Sequence, residues 1–153
     1  MKRNDLLQMV VMAVAVLCVA GVTGLYAGTT VLDVVKMEHK AYTKHTKGIV
    51  QFSHKKHAED YKAGCGDCHH DEKGKPLTSL KAGDDVKNCF DCHSKPGLAP
   101  KGKGAPKLSK KEKVQQYHAE AIHANCIDCH KTHNKTTKTK AAPVTCKDCH
   151  PKK

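Results

Sequence analysis

Tryptophan is absent from the 153 residues, aromatics make up 4% of them, and only two are Phe. From Gly48 to Lys153 the chain offers 15 Ile, Val, Leu, Phe and Tyr among 106 positions. So thin an apolar supply cannot bury enough surface to offset chain entropy. By composition this stretch should be disordered unless something other than side chains supplies the core. The length leaves room for one domain and a short extension, which excludes a large multidomain enzyme. Acidic residues are scarce as well, 15 against 27 Lys and Arg, for a net charge of +12. A basic balance suits nucleic acid, an acidic membrane or an acidic protein. No RNP-like aromatic pattern and no finger with a 12-residue spacer between Cys and His pairs is present, so nucleic acid is not expected as a partner.

One long hydrophobic run does occur. Lys2 and Arg3 precede 23 mostly apolar residues from Leu6 to Gly28, the pattern of an export segment. Residues 1–28 are expected to be either a cleaved signal peptide or an uncleaved membrane anchor, because the run is long enough to cross a hydrocarbon core of about 30 Å. Val22-Thr-Gly24 fits a cleavage site tolerably and Leu25-Tyr-Ala27 poorly. In both cases the remainder faces an exported compartment, the periplasm, either soluble or tethered to the inner membrane. Cys18 reads as a buried apolar residue, since Ala15-Val-Leu17 lacks the small residue that a lipid-attachment site needs before its Cys.

What is abundant is Cys and His, nine and twelve residues. The eight Cys beyond Cys18 fall into four frames: Cys65-Gly-Asp-Cys68-His69, Cys89-Phe-Asp-Cys92-His93, Cys126-Ile-Asp-Cys129-His130 and Cys146-Lys-Asp-Cys149-His150. Two thiols three residues apart on one turn can each add to a vinyl group of the same porphyrin, and the following imidazole then projects at the iron. Zinc thiolate sites and disulfides are the competing readings, and neither needs a His after every pair. Four covalently attached c-type haems would also supply the missing core, each a large flat apolar plate.

The second axial ligand decides what such a site does. The four Met are Met1, Met9, Met12 and Met37, none near a motif. That leaves His39, His45, His54, His57, His70, His118, His123 and His133. His54 and His57 follow Ser53, a plausible N-cap, and their spacing of three puts both rings on one side of a short helix. They are expected to serve two different haems. His70 follows His69, and neighbours on a helical turn diverge by about 100°, so His70 should point at another haem. For the last iron both His118 and His123 precede the third motif. Ser109-Lys-Lys-Glu112 opens a helix with a capping box. His118 shares the face of Val114, Tyr117, Ala121 and Ile122, whereas His123 lies nearly opposite while the helix stays regular. The residues alone leave both open. His39, His45 and His133 are expected to be solvated.

The pattern Ile49-Val-Gln-Phe-Ser-His54-x-x-His57, followed by Cys65-Gly-Asp-Cys68-His69-His70 and three further CxxCH motifs, resembles the tetrahaem class III cytochromes c, the cytochrome c3 family. The resemblance covers about residues 48–151. It implies that His54 pairs with His69, His70 with His93 and His57 with His130. The fourth haem's distal His would come from just before the third motif, where His123-Ala-Asn-Cys126 resembles the His-x-x-Cys arrangement of relatives; on that resemblance His123 is favoured over His118, with the helix ending around it.

The expected fold is therefore small and mostly coil with a few α-helices, a multihaem cytochrome wrapped around four haems behind an N-terminal hydrophobic helix. Residues 29–47 read as a polar spacer and 48–153 as the tetrahaem domain, with an extended segment at residues 48–52 and loops at residues 73–76 and 94–107. Residues 94–113 carry seven Lys and one acid, either a solubilising surface or a docking patch for an acidic redox partner. The leading function is low-potential periplasmic electron transfer, for bis-His ligation without Met implies low potentials. The resemblance suggests periplasmic hydrogenase or formate dehydrogenase as donors and a membrane redox complex as acceptor. The alternatives are a membrane-anchored cytochrome subunit held through residues 6–28 and a small multihaem reductase.

Overall fold

The computed structural model describes residues 31–152. The hydrophobic run expected to be a signal or anchor lies outside them. Among the described residues no helix is long and apolar enough to cross a membrane, and elements are short and separated by coil. In chain order they are β1 (Val35–Lys36), β2 (Gln51–Phe52), a π-helical turn (Lys56–Asp60), α1 (Cys65–Cys68), α2 (Cys89–Cys92), α3 (Lys110–Gln116), α4 (His118–Thr137) and α5 (Cys146–Cys149). The expected mostly coil chain with a few helices is what forms.

Three of the Cys motifs build their own helical turn. In α1 the Asp67 carboxylate accepts from Gly64 N at 2.8 Å. In α2 Asp91 accepts from Asn88 N at 3.0 Å, while the Asn88 side chain accepts from Phe90 N at 2.8 Å. In α5 the Thr145 hydroxyl donates to Asp148 at 2.6 Å. Asp67 and Asp91 thus hold the first amide of their turns, where N–H groups otherwise lack partners, whereas Asp148 is met by the Thr145 hydroxyl. The third motif differs, because Cys126–Cys129 lies inside the 20-residue α4. There Asp128 is in mid-helix and pairs instead with the Lys110 ammonium at 3.2 Å.

The capping box expected at Ser109 is present: Glu112 accepts from Ser109 N at 2.7 Å and the Ser109 hydroxyl accepts from Glu112 N at 3.2 Å. The helix it opens does not run on to His123. It stops at Tyr117, whose backbone is extended (φ −108°, ψ 122°), and a second helix starts at His118 and continues to Thr137. Lys95 causes the break. Its N–H donates to Gln116 O at 3.0 Å and its carbonyl accepts from His118 N at 2.8 Å, a strand-like bridge that helical backbone cannot make.

Residues 31–47 do not hang free as a spacer would. Val35 pairs with Phe52 and Lys36 with Gln51 in the two-stranded antiparallel sheet. Met37 N donates to Val50 O at 2.9 Å, Lys55 N to Asp33 O at 3.2 Å, and the Lys55 ammonium lies 3.7 Å from the Asp33 carboxylate. Among the described residues only Ala99 and Ala121 are buried apolar residues. With no buried Leu, Ile, Val or Phe among them, the described residues have no side-chain core of their own.

Candidate haem-binding site

The coil between motifs brings them together. Asn125, just before the third motif, donates to Cys68 O of the first at 3.3 Å. Burial, and then the nearby Cys129, pushes the Cys68 thiol up. Burial pushes the Cys126 thiol up to about 11, with Cys68 and Cys149 adding to it. All eight motif cysteines are unpaired thiols.

Around them the histidines stand in pairs. The rings of His57 and His130 have centres 6.1 Å apart, those of His70 and His93 5.9 Å, and those of His123 and His150 6.2 Å. His54 is close enough to His69 to lower its pKa, second only to burial as a cause. Phe52 lies between the pairs, its ring 5.9 Å from His54 and 4.7 Å from His57. The π-helical turn sets this spacing. His57 N bonds Ser53 O and Tyr61 N reaches five residues back to Lys56 O at 3.0 Å. The helical run opens at His54, directly after Ser53, and the π-helical turn follows on from Lys55, itself helical.

Most of these rings are held by one nitrogen. Nδ1 donates to a backbone carbonyl from His57 (Ser53, 2.9 Å), His70 (Asp71, 2.7 Å), His93 (Gln115, 3.2 Å), His130 (Pro143, 2.6 Å) and His150 (Gly48, 2.8 Å). A carbonyl only accepts, so the proton sits on Nδ1 and the Nε2 lone pair is left for a metal. Burial, followed by the charge of His150, lowers the pKa of His123. Burial likewise lowers that of His69. Both shifts favour the neutral imidazole that ligation requires.

The break at Tyr117 separates the two candidates for the last iron. His123, in the second turn of α4, meets His150. His118 faces another way: its Nδ1 is 2.9 Å from the Tyr42 hydroxyl and its ring centre 5.3 Å from that of Phe90. The expectation that the helix ends near His123 is corrected, yet the break six residues earlier resets the helix faces in the same sense. His39 and His45 were expected in solvent and are not there. His39 stacks on Phe90 with centres 4.1 Å apart and His45 on Tyr42 at 5.2 Å, because residues 31–47 fold back onto the domain. His133 is exposed.

These residues fit a c-type haem. A first-row metal bonds an imidazole nitrogen at about 2 Å, and that nitrogen lies about 1 Å from its ring centre, so two imidazoles across one ion have centres about 6 Å apart. Three pairs stand at that separation. His54 Nδ1 is a buried polar atom without a partner among the described residues, an arrangement that is costly unless an outside group fixes the ring. Among the described residues no three His, Cys, Asp or Glu side chains converge on one point as a bare ion's ligands would.

The class III cytochrome C family matches the chain over residues 31–150. That span begins before β1 and so takes in the folded-back segment. No curated protein and no solved structure matches it.

Proposed function

The chain belongs to the class III cytochrome c family, a family of multihaem electron-transfer proteins that bind c-type haem, and from that premise we propose a carrier with four bis-histidine haems acting in the periplasm. The observation that carries the reading is the separation of 5.9 to 6.2 Å in three histidine pairs. In this reading Cys65 and Cys68, Cys89 and Cys92, Cys126 and Cys129, and Cys146 and Cys149 form the thioethers. His54 with His69, His70 with His93, His57 with His130, and His123 with His150 are the axial ligands. When bound, each haem supplies an iron that can alternate between the ferric and ferrous states.

The chain's own part is to hold and insulate. Nδ1 hydrogen bonds to carbonyls orient five of the eight rings and raise their basicity. Two strong nitrogen ligands per iron leave no position for a substrate, which favours a carrier over a reductase. His69 next to His70, and His54 one turn from His57, tie neighbouring sites to single short stretches of backbone and so keep them close. Partners remain those suggested at the outset: a periplasmic hydrogenase or formate dehydrogenase as donor and a membrane redox complex as acceptor, with residues 6–28 as a possible tether.

Intact mass and a visible spectrum test this. The exported protein should exceed its polypeptide mass by four haems and show low-spin bands alone in both redox states. Three haems or fewer, or a high-spin fraction, would overturn the assignment.

A further inference from the structure

Two histidines and a tyrosine have no role in the ligand set, yet they gather at one place. The backbone turn closed by Tyr42 N on His39 O at 3.0 Å puts both side chains on the same side. His39 lies flat on Phe90, 4.1 Å between centres and 14° between planes. The Tyr42 hydroxyl is 2.9 Å from His118 Nδ1, and its ring meets that of Phe90 edge-on at 6.4 Å. His118 completes the group, 5.3 Å from Phe90 and 6.4 Å from His39. Phe90 sits between Cys89 and Cys92, so this cluster packs onto one motif turn. Lys40, Thr43 and Lys44, which alternate with these residues, are exposed.

The chain invests a folded-back segment in this one motif. Phe90 is the only ring placed between two motif Cys; the corresponding first positions elsewhere are Gly66, Ile127 and Lys147. His93, the histidine of the same motif, has its ring centre 5.9 Å from that of His70, and it is near enough to His118 to depress its pKa, after burial and His39. Resting on the assignment of His70 and His93 as ligands of the second haem, we propose that His39 and Tyr42 are positioning residues. Stacked on Phe90 and braced by His118, they exclude water from that haem and set its potential apart from those of the other three.

The sign follows from charge. A bis-histidine ferric centre carries one more positive charge than the ferrous one, and water stabilises the more charged state. A cover that displaces water therefore favours the ferrous state, and opening it lowers the potential. His39 stacks directly on Phe90, while Tyr42 holds His118 beside it.

The test uses the mature four-haem protein and haem-resolved potentiometry by NMR of the haem methyl groups. His39→Ala should lower the potential of the haem on Cys89 and Cys92 and leave the others in place. His39→Phe, which keeps a stacked ring but no titratable group, should leave all four at wild-type values. Tyr42→Phe should give a smaller shift of the same sign. If His39→Ala moves no haem, moves all four alike, or is matched by His39→Phe, the cover is not what sets the potential. A wild-type protein with no low-spin haem on Cys89 and Cys92 would instead remove the ligand assignment itself, an outcome that these variants do not mimic.

Discussion

His150 donates from Nδ1 to the carbonyl of Gly48 at 2.8 Å, joining residues 102 positions apart. The fourth motif is thereby tied to the segment that leads through β2 into His54 and His57. Only glycine fits there, since a Cβ on residue 48 would collide with the Pro151 carbonyl oxygen and ring. Gly48→Ala should force the two segments apart, cost about 1–3 kcal/mol, and disturb the one haem that His150 serves. Guanidinium unfolding and the low-spin EPR signals would show it. Unchanged stability with four unchanged signals would mean that the contact relaxes at no cost.

The motif frames, the spacing of His54 and His57 and the doubled His69-His70 were legible in the sequence because covalent chemistry fixes residue type and separation over a few positions. The break at Tyr117 was not. It is made by Lys95, more than twenty residues away, and the run through Val114, Tyr117 and Ala121 has helical periodicity whichever way the chain turns. His39 and His45 were misjudged for a related reason. A polar Lys- and Thr-rich stretch reads as solvated, whereas the pairing of Val35 with Phe52 and the stacking of His39 on Phe90 place it on the domain.

The two histidines before the third motif are separable by ligand binding. His123→Gly should leave the iron facing His150 with an open position that takes up carbon monoxide, giving one equivalent per protein. His118→Gly should bind none, since its ring is directed at Tyr42 and Phe90. Uptake by both variants or by neither would contradict the pairing of His123 with His150.

The motif Asp residues should be unequal. Asp67 and Asp91 hold the first amides of their turns, and their replacement by Ala should cost about 0.5–2 kcal/mol each, the range for a lost helix cap. Asp128 makes a surface ion pair with Lys110, and pairs of that kind contribute about 0–1 kcal/mol. Asp128→Ala should therefore be the mildest of the three in guanidinium unfolding of the mature protein. An Asp128→Ala variant as damaged as the other two would mean that mid-helix Asp128 has a role beyond its pair with Lys110.

Without its haems the chain should not fold. With Ala99 and Ala121 the only buried apolar residues among those described, the polypeptide retains nothing to oppose its chain entropy. A variant with all eight motif Cys replaced by Ser should give a far-ultraviolet circular dichroism spectrum of disordered chain, with no cooperative melting. A sigmoidal transition in that variant would show a side-chain core where none is apparent.

His118 gives the mature protein a pH dependence of its own. Burial, then His39 and His93, lowers its pKa below the ordinary value, about 6.5 in an unfolded chain. Near and below that value the unfolded chain binds a proton that the folded one resists, so the unfolded state holds more protons and stability must rise with pH. The stabilisation is fully present above about pH 6.5 and is lost as pH falls toward the lowered value in the folded state. His118 lies outside the proposed ligand set, so it titrates with the haems in place, and in the protonated form it can no longer accept the Tyr42 hydroxyl proton. Guanidinium midpoints between pH 7 and pH 5 should decline more steeply for the wild type than for His118→Gln, whose side chain does not titrate. Two parallel curves would show that His118 has the same proton affinity in both states, and that the acid sensitivity of the fold arises elsewhere.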